Sequence, residues 1–330
     1  MQGSARGAPA FSLQIYYNSP RKIQKIVKNP CYNDRSKKNV VTEENAMPST
    51  YAHYKFGKQV LEQYPAPLAD VVRAHRQLYN IGLHGPDILF YYKALTNNPV
   101  NAVGFGMHGK PAREFFAPAK EAYAAAEDKG SALAYLLGFV CHFALDSACH
   151  GYIENKIAVS GVTHTEIESE FDRSLLLQDG RDPLSAKLTY HIVPSEANAR
   201  VIAPFFAGVN EKQVEKALRS MLFYNELLRA PHQPKRGFVR LCLRLTGNFK
   251  EMHGMMIAKH PIPACADSDL RLSKLMDKAV ARCVELSENV AAYVKGEGEL
   301  SPEFEKTFGP PENWREIPVL SLEEEKKYEV

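Results

Sequence analysis

The chain has 330 residues, 45% of them apolar, which is enough for a sizeable core and excludes a disordered or fibrous protein. A net charge of +3 and a pI near 8.4 are too mild to single out nucleic acid as a partner. Six cysteines (Cys31, Cys141, Cys149, Cys242, Cys265 and Cys283) form no CxxC pair and no compact framework, so they read as reduced thiols and exclude a small disulfide-stapled domain.

Residues 1–46 are polar and proline-punctuated, and carry Arg21, Lys22, Lys25, Lys28, Arg35, Lys37 and Lys38 against Asp34 in that run. They are expected to form a flexible basic extension, with a basic arm for anionic lipid or nucleic acid as the alternative. From Met47 onward the apolar periodicity is helical and predicts helices near 50–63, 67–80, 86–95, 112–127, 131–157, 164–178, 194–207, 210–229, 234–247 and 269–296. Between them fall Pro65 and Pro67, the Gly82 to Pro86 and Gly104 to Pro111 stretches, Gly161, Pro183, Pro231 and Pro234, and Pro261 to Pro263. One alternating stretch, 188–193, is the best β candidate and is too short to change the class. The expectation is an all-α multi-helix bundle over 47–308 with its site between facing helices. The tail 309–330, which holds Pro310, Pro311 and an anchoring Trp314, is expected to wrap the body or to be partly loose. No run approaches the roughly 18–20 apolar residues that span a bilayer, and residues 1–20 lack an apolar targeting core, so a cytoplasmic protein with no obligate protein partner is expected.

Chemistry concentrates in 138–150, GFVCHFALDSACH, followed by HTEIE at 164–168. On a helix His142, Asp146 and His150 (i, i+4, i+8) share one face within about 80°, and His164 and Glu168 repeat the i, i+4 pairing on the next helical pattern. Imidazole and carboxylate are the ligands of divalent zinc where thiolates are absent. His142 and His150 stand about 12 Å apart along the axis, whereas zinc–nitrogen bonds are about 2.0–2.1 Å, so at least two ions are implied. One would use His142 and Asp146; the other would use His150, His164 and Glu168. Adjacent divalent ions suit phosphoester hydrolysis. Cys141 and Cys149 each precede a candidate histidine and point about 100° away, and so are expected to pack beside the site. Asp146 follows Phe143, Ala144 and Leu145, where an unpaired carboxylate would cost several kcal/mol.

Three further candidate ligands lie upstream: His53, Asp87 in GLHGPDILFYY, and His108 in GFGMHGKP, the last two held in glycine- and proline-rich turns. His84 is a turn histidine or a phosphate contact, and Arg173 a salt-bridge partner or a phosphate contact. Phe56, Phe90, Tyr91, Tyr92, Phe105 and Phe143 are candidates for an apolar mouth, the alternative being core.

The ordered series His, Asp, His, HxxxD, His, HxxxE from about residue 47 to 173 resembles the zinc-dependent phospholipase C family, related to fungal zinc nucleases that cleave single strands. The resemblance implies an all-α phosphodiester hydrolase with two or three zinc ions and a phospholipid substrate, met through transient membrane contact; nucleic acid is the runner-up substrate. It further implies one shell of Asp87, His108, His142 and Asp146, a second of His150, His164 and Glu168, and a third that uses His53 with Asp146 as a bridge. The carboxylate matching Asp87 serves there as general base for the attacking water. Trinuclear relatives complete the third shell with an N-terminal tryptophan, which this chain lacks; a native start at Met47 or Pro48 would place an amine five or six residues before His53. Ile88 and Gly109 stand where relatives carry substrate-contacting aromatics, so neither specific pocket is visible. A non-catalytic helical protein with structural zinc is the alternative from another class.

Overall fold

The computed structural model describes residues 49–330, apart from 246, 248 and 250–252. The basic extension 1–46 and the Met47–Pro48 start lie outside the described residues. The described residues form helices throughout, with one isolated bridge, Pro111 to Thr307, and no strand among them. In chain order the α-helices are α1 (Thr50–Gln63), α2 (Ala66–Ala74), α3 (Arg76–Gly82), α4 (Pro99–His108), α5 (Arg113–Ala125), α6 (Lys129–Ser160), α7 (His164–Gln178), α8 (Glu196–Ile202), α9 (Glu211–Leu228), α10 (Gln233–Leu245) and α11 (Ala266–Lys295), before a last short turn of helix, Leu322–Glu325.

Helix α6 is the axis of the fold. The Asp128 carboxylate accepts from the Ser131 N–H at its start, and Gly161, at φ 71°, closes its end in the left-handed conformation that glycine tolerates. It is buried almost all round, and α3 and α11 pack along it. Against α3 the backbones nearly touch: a Cβ at Gly138 would lie 2.2 Å from the Tyr79 carbonyl oxygen, and one at Gly82 would lie 2.3 Å from that of Tyr135. By length and hydropathy α6 could cross a bilayer, contrary to the sequence expectation, but the apolar window is 89% buried inside the protein, so this is a core helix.

Four expectations from the sequence differ. The 67–80 helix breaks at His75, whose backbone leaves helical geometry (φ −120°, ψ 42°). The 86–95 segment is a 3-10 helix, Gly85–Tyr91, because Gly85 starts it at φ 47° and Pro86 follows. Helix α4 runs into the Gly104 to Pro111 stretch expected to break helices, because Asn98 and Asn101 form a reciprocal capping box with Pro99 in the first turn. The 188–193 stretch is turns, closed by Ile192 N–H donating to Thr189 O.

Candidate metal centre

The α6 stripe forms as its spacing predicts. His142 Nε2 lies 3.0 Å from Asp146 Oδ2, and the other carboxylate oxygen, Oδ1, lies 3.2 Å from His53 Nε2 in the first turn of α1. Asp146 therefore faces two histidines with different oxygens, the posture of a bridging carboxylate. From the 3-10 helix, Asp87 Oδ1 lies 3.0 Å from His108 Nε2 at the end of α4, and Oδ2 lies 3.6 Å from His142 Nε2. The 164/168 pair stands on the first turns of α7, where Thr163 and Glu166 form a capping box. His164 Nε2 is 3.2 Å and His150 Nε2 is 3.9 Å from Glu168 Oε1. Three ligand groups result, His53/Asp87/His142, His108/His142/Asp146 and His150/His164/Glu168, each with one donor atom per residue within 4.8 Å of the others. Tetrahedral zinc with bonds of about 2.0–2.1 Å sets its ligand atoms about 3.3 Å apart, the middle of the separations seen.

The donor set fits a cation on a further observation. Both oxygens of Asp87, both ring nitrogens of His142 and Glu168 Oε2 are buried with no hydrogen-bond partner, although imidazole nitrogens approach the carboxylates closely. Close approach without hydrogen-bond alignment is what ligand atoms aimed at a common ion produce. An isolated carboxylate so buried would otherwise cost several kcal/mol. Two backbone carbonyls orient the ligands from behind: His108 Nδ1 donates to Gly104 O at 3.1 Å and His150 Nδ1 donates to Phe308 O at 2.6 Å, which leaves each Nε2 lone pair for the cleft.

Charge in the protein without metal follows the same geometry. Burial alone would lower the His108 imidazole, but Asp87 and then Asp146 raise it to about 9. Burial is likewise outweighed at His53, which is raised chiefly by Asp146, and at His164, which is raised chiefly by Glu168. At His150 burial prevails and the imidazole is lowered. The Asp146 carboxyl is held well below the usual range because His142, His150 and His53 outweigh its burial.

These groups open on a cleft of about 410 Å³ lined by Asp87, His108, Asp146, His150, His164 and Glu168, with Phe90, Phe105, Glu154, Ile157, Gly309 and Pro310 around them. Of the six candidate mouth aromatics only Phe90 and Phe105 line it, their rings stacked at 4.1 Å. Phe56 and Phe143 are core, and Tyr91 faces a separate cavity of about 60 Å³. His84 is fully buried and its Nε2 pairs with His191 Nε2 at 2.8 Å, away from the cleft lining. Arg173 grips the buried Glu170 through Nε and Nη2. Cys141 packs against Cys283 and Tyr79, and burial pushes the Cys149 thiol up. Sequence reasoning missed the carbonyl of Phe308, the Gly309–Pro310 wall and Glu154. Only Glu154, one turn beyond His150 on the ligand face of α6, carried a signal in its spacing.

An all-α fold that gathers five histidines and three carboxylates at and behind one cleft fits a metal-dependent hydrolase. The family model for zinc-dependent phospholipase C matches residues 52–218, just over half of the chain, and the chain belongs to that family. It is a zinc-dependent, phospholipase C-like hydrolase. No curated protein and no solved structure matches it.

Proposed function

We propose that the chain hydrolyses the phosphodiester of a phospholipid on its glycerol side, with His53, Asp87, His108, His142, Asp146, His150, His164 and Glu168 as ligands of two zinc ions and, where an amine is supplied near Ser49, of a third. The observation that carries this reading is the set of buried Asp87, His142 and Glu168 atoms that converge without hydrogen bonds. When bound, zinc supplies a lowered water pKa and neutralises charge on phosphate oxygens. The chain's own residues do the rest. Asp87 stands at the cleft edge, where a carboxylate can take the proton of an attacking water. Asp146 spans the His53 and His142 positions and holds them in register. Phe90 and Phe105 offer apolar surface to the acyl-bearing side of the substrate and limit water there. The substrate is met at a membrane surface. A cytoplasmic setting is part of the proposal.

The test is turnover of a phospholipid panel, a chromogenic phosphodiester and a single-stranded oligonucleotide, each with and without chelator. Zinc-dependent release of a phosphorylated headgroup is the expected result. Turnover of the oligonucleotide alone would move the substrate class to nucleic acid. No turnover, with a melting temperature that falls on chelation, would leave zinc in a structural role.

A further inference from the structure

Helix α10 is apolar on two opposite faces. At about 100° per residue, Arg236, Val239 and Leu243 fall on one side. They are buried, and Val239 and Leu243 pack on Leu228, Ala230 and Met256. On the opposite side stand Phe238, Leu241 and Leu245, which are 62%, 52% and 78% exposed. Phe223 and Leu227, one turn apart on the preceding α9, are exposed as well. A folded protein seldom leaves such a stripe to water without a use for it.

Charge selects what meets this face. Residues 233–245 contain Lys235, Arg236, Arg240 and Arg244 and no acidic residue. On the helical wheel Arg244 flanks the exposed stripe on one side, with the half-buried Arg240 beyond it toward the buried side, and Lys235 flanks the other. A second copy apposed through α10 would bring like charges together. The chain's own basic run at 21–38, seven cations against Asp34, would be repelled in the same way. An apolar stripe between cationic flanks instead matches a bilayer with anionic headgroups, where the apolar side chains enter the interface and the arginines meet phosphates.

The opposite, buried side of α10 adjoins the metal centre. The small cavity beside α7 is lined at once by Arg236 of α10 and by Glu168. Beyond α10, Gly254 packs so closely on Thr165 that a Cβ there would lie 2.2 Å from Oγ1, next to the ligand His164.

Resting on the phospholipid reading above, we propose that α10 is the docking helix by which this hydrolase binds anionic phospholipid bilayers, with Phe238, Leu241 and Leu245 as the inserted side chains and Arg240 and Arg244 as the phosphate contacts. The test is co-sedimentation of the full, zinc-loaded chain with vesicles of phosphatidylcholine alone and of phosphatidylcholine mixed with phosphatidylglycerol. Wild type, the double variant Phe238→Ser/Leu245→Ser and the double variant Arg240→Gln/Arg244→Gln are compared. Turnover of a water-soluble chromogenic phosphodiester and the lipid-free molecular mass are measured alongside. Wild type is expected to prefer the anionic vesicles. The apolar variant should weaken binding by roughly tenfold or more. The arginine variant should weaken it by about tenfold on anionic vesicles only and remove most of its salt dependence. Soluble turnover should stay at the wild-type level in both variants. Wild type that stays in the supernatant, variants that sediment like wild type, or a lipid-free dimer that Phe238→Ser/Leu245→Ser dissociates would each overturn the proposal. Absent soluble turnover with the expected vesicle ranking would instead overturn the hydrolase reading and leave the docking helix standing.

Discussion

Asp87 is 1% exposed, and neither of its oxygens has a hydrogen-bond partner, which makes it the most exacting single residue in the cleft. A neutral amide there keeps the volume but removes both the charge that faces His108 and His142 and the proton acceptor. At saturating zinc, Asp87→Asn is expected to lower kcat by about 10²–10⁴-fold with the circular dichroism spectrum unchanged; wild-type turnover would remove Asp87 from the chemistry. The histidines set a pH dependence whose sign can be worked out. The metal-free fold raises His108 to about 9, and raises His53 and His164 in the same direction, so at these three positions it binds protons more tightly than the unfolded chain, although His150 is lowered. The His108 contribution to metal-free stability is fully present below the ordinary histidine value of about 6.5 and is lost as pH rises through about 9, and those of His53 and His164 have the same sign. Zinc requires the neutral imidazoles, so its apparent affinity moves the opposite way. The melting-temperature gap between zinc-loaded and metal-free protein should therefore widen from pH 6 to pH 9. A gap that narrows over that range would contradict the ligand assignment.

Helix α7 links two parts of the centre through one stripe. His164 and Glu168 occupy i and i+4, and at i+8 the buried Asp172 accepts from Tyr51 N at 3.0 Å, Ala52 N at 2.8 Å and Ser49 Oγ at 2.5 Å. Asp172 thereby closes the N-terminus of α1 one residue before His53. Burial pushes its carboxyl up to about 6 in spite of these donors. Asp172→Ala should cost about 2–3 kcal/mol of stability, read from the denaturant midpoint, and should weaken occupancy of the His53 position more than that of the His164 position. Equal loss at both would make Asp172 merely structural. The HxxxE spacing is visible in the sequence because both residues lie on one helix. The role of Asp172 was not, since its partners stand about 120 residues earlier and only tertiary packing brings them together. Helix α4 is hidden for another reason: Gly104 and Gly106 interrupt its pattern, while its start signal, Asn98-Pro99 with Asn101, precedes no long apolar stripe.

At the scale of the molecule, the described C-terminal residues complete the centre and tie themselves to α11. Phe308 holds His150, and Gly309 and Pro310 wall the cleft. Farther on, Glu325 grips the 2%-exposed Arg271 through two bonds of 2.8 and 2.7 Å, and Arg271 lies between the rings of Tyr152 and Tyr328. Glu325→Ala leaves that guanidinium buried and uncompensated and should cost about 3–5 kcal/mol in denaturant unfolding; a loss below about 1 kcal/mol would show that the tail is not held there. The helical class could be read from periodicity and the His142/Asp146/His150 and His164/Glu168 stripes from spacing, whereas the wall built by residues 308–310 could not, because no local pattern announces a loop that returns to a site more than 150 residues away. The most direct measurement of the central claim is hydrolysis of a phospholipid by the zinc-loaded protein in ¹⁸O-labelled water. One label should enter the phosphorylated headgroup and none the diacylglycerol, and the product should vanish on chelation and return with zinc. Label in the diacylglycerol, or product formation indifferent to chelation, would contradict zinc-dependent attack of water at phosphorus.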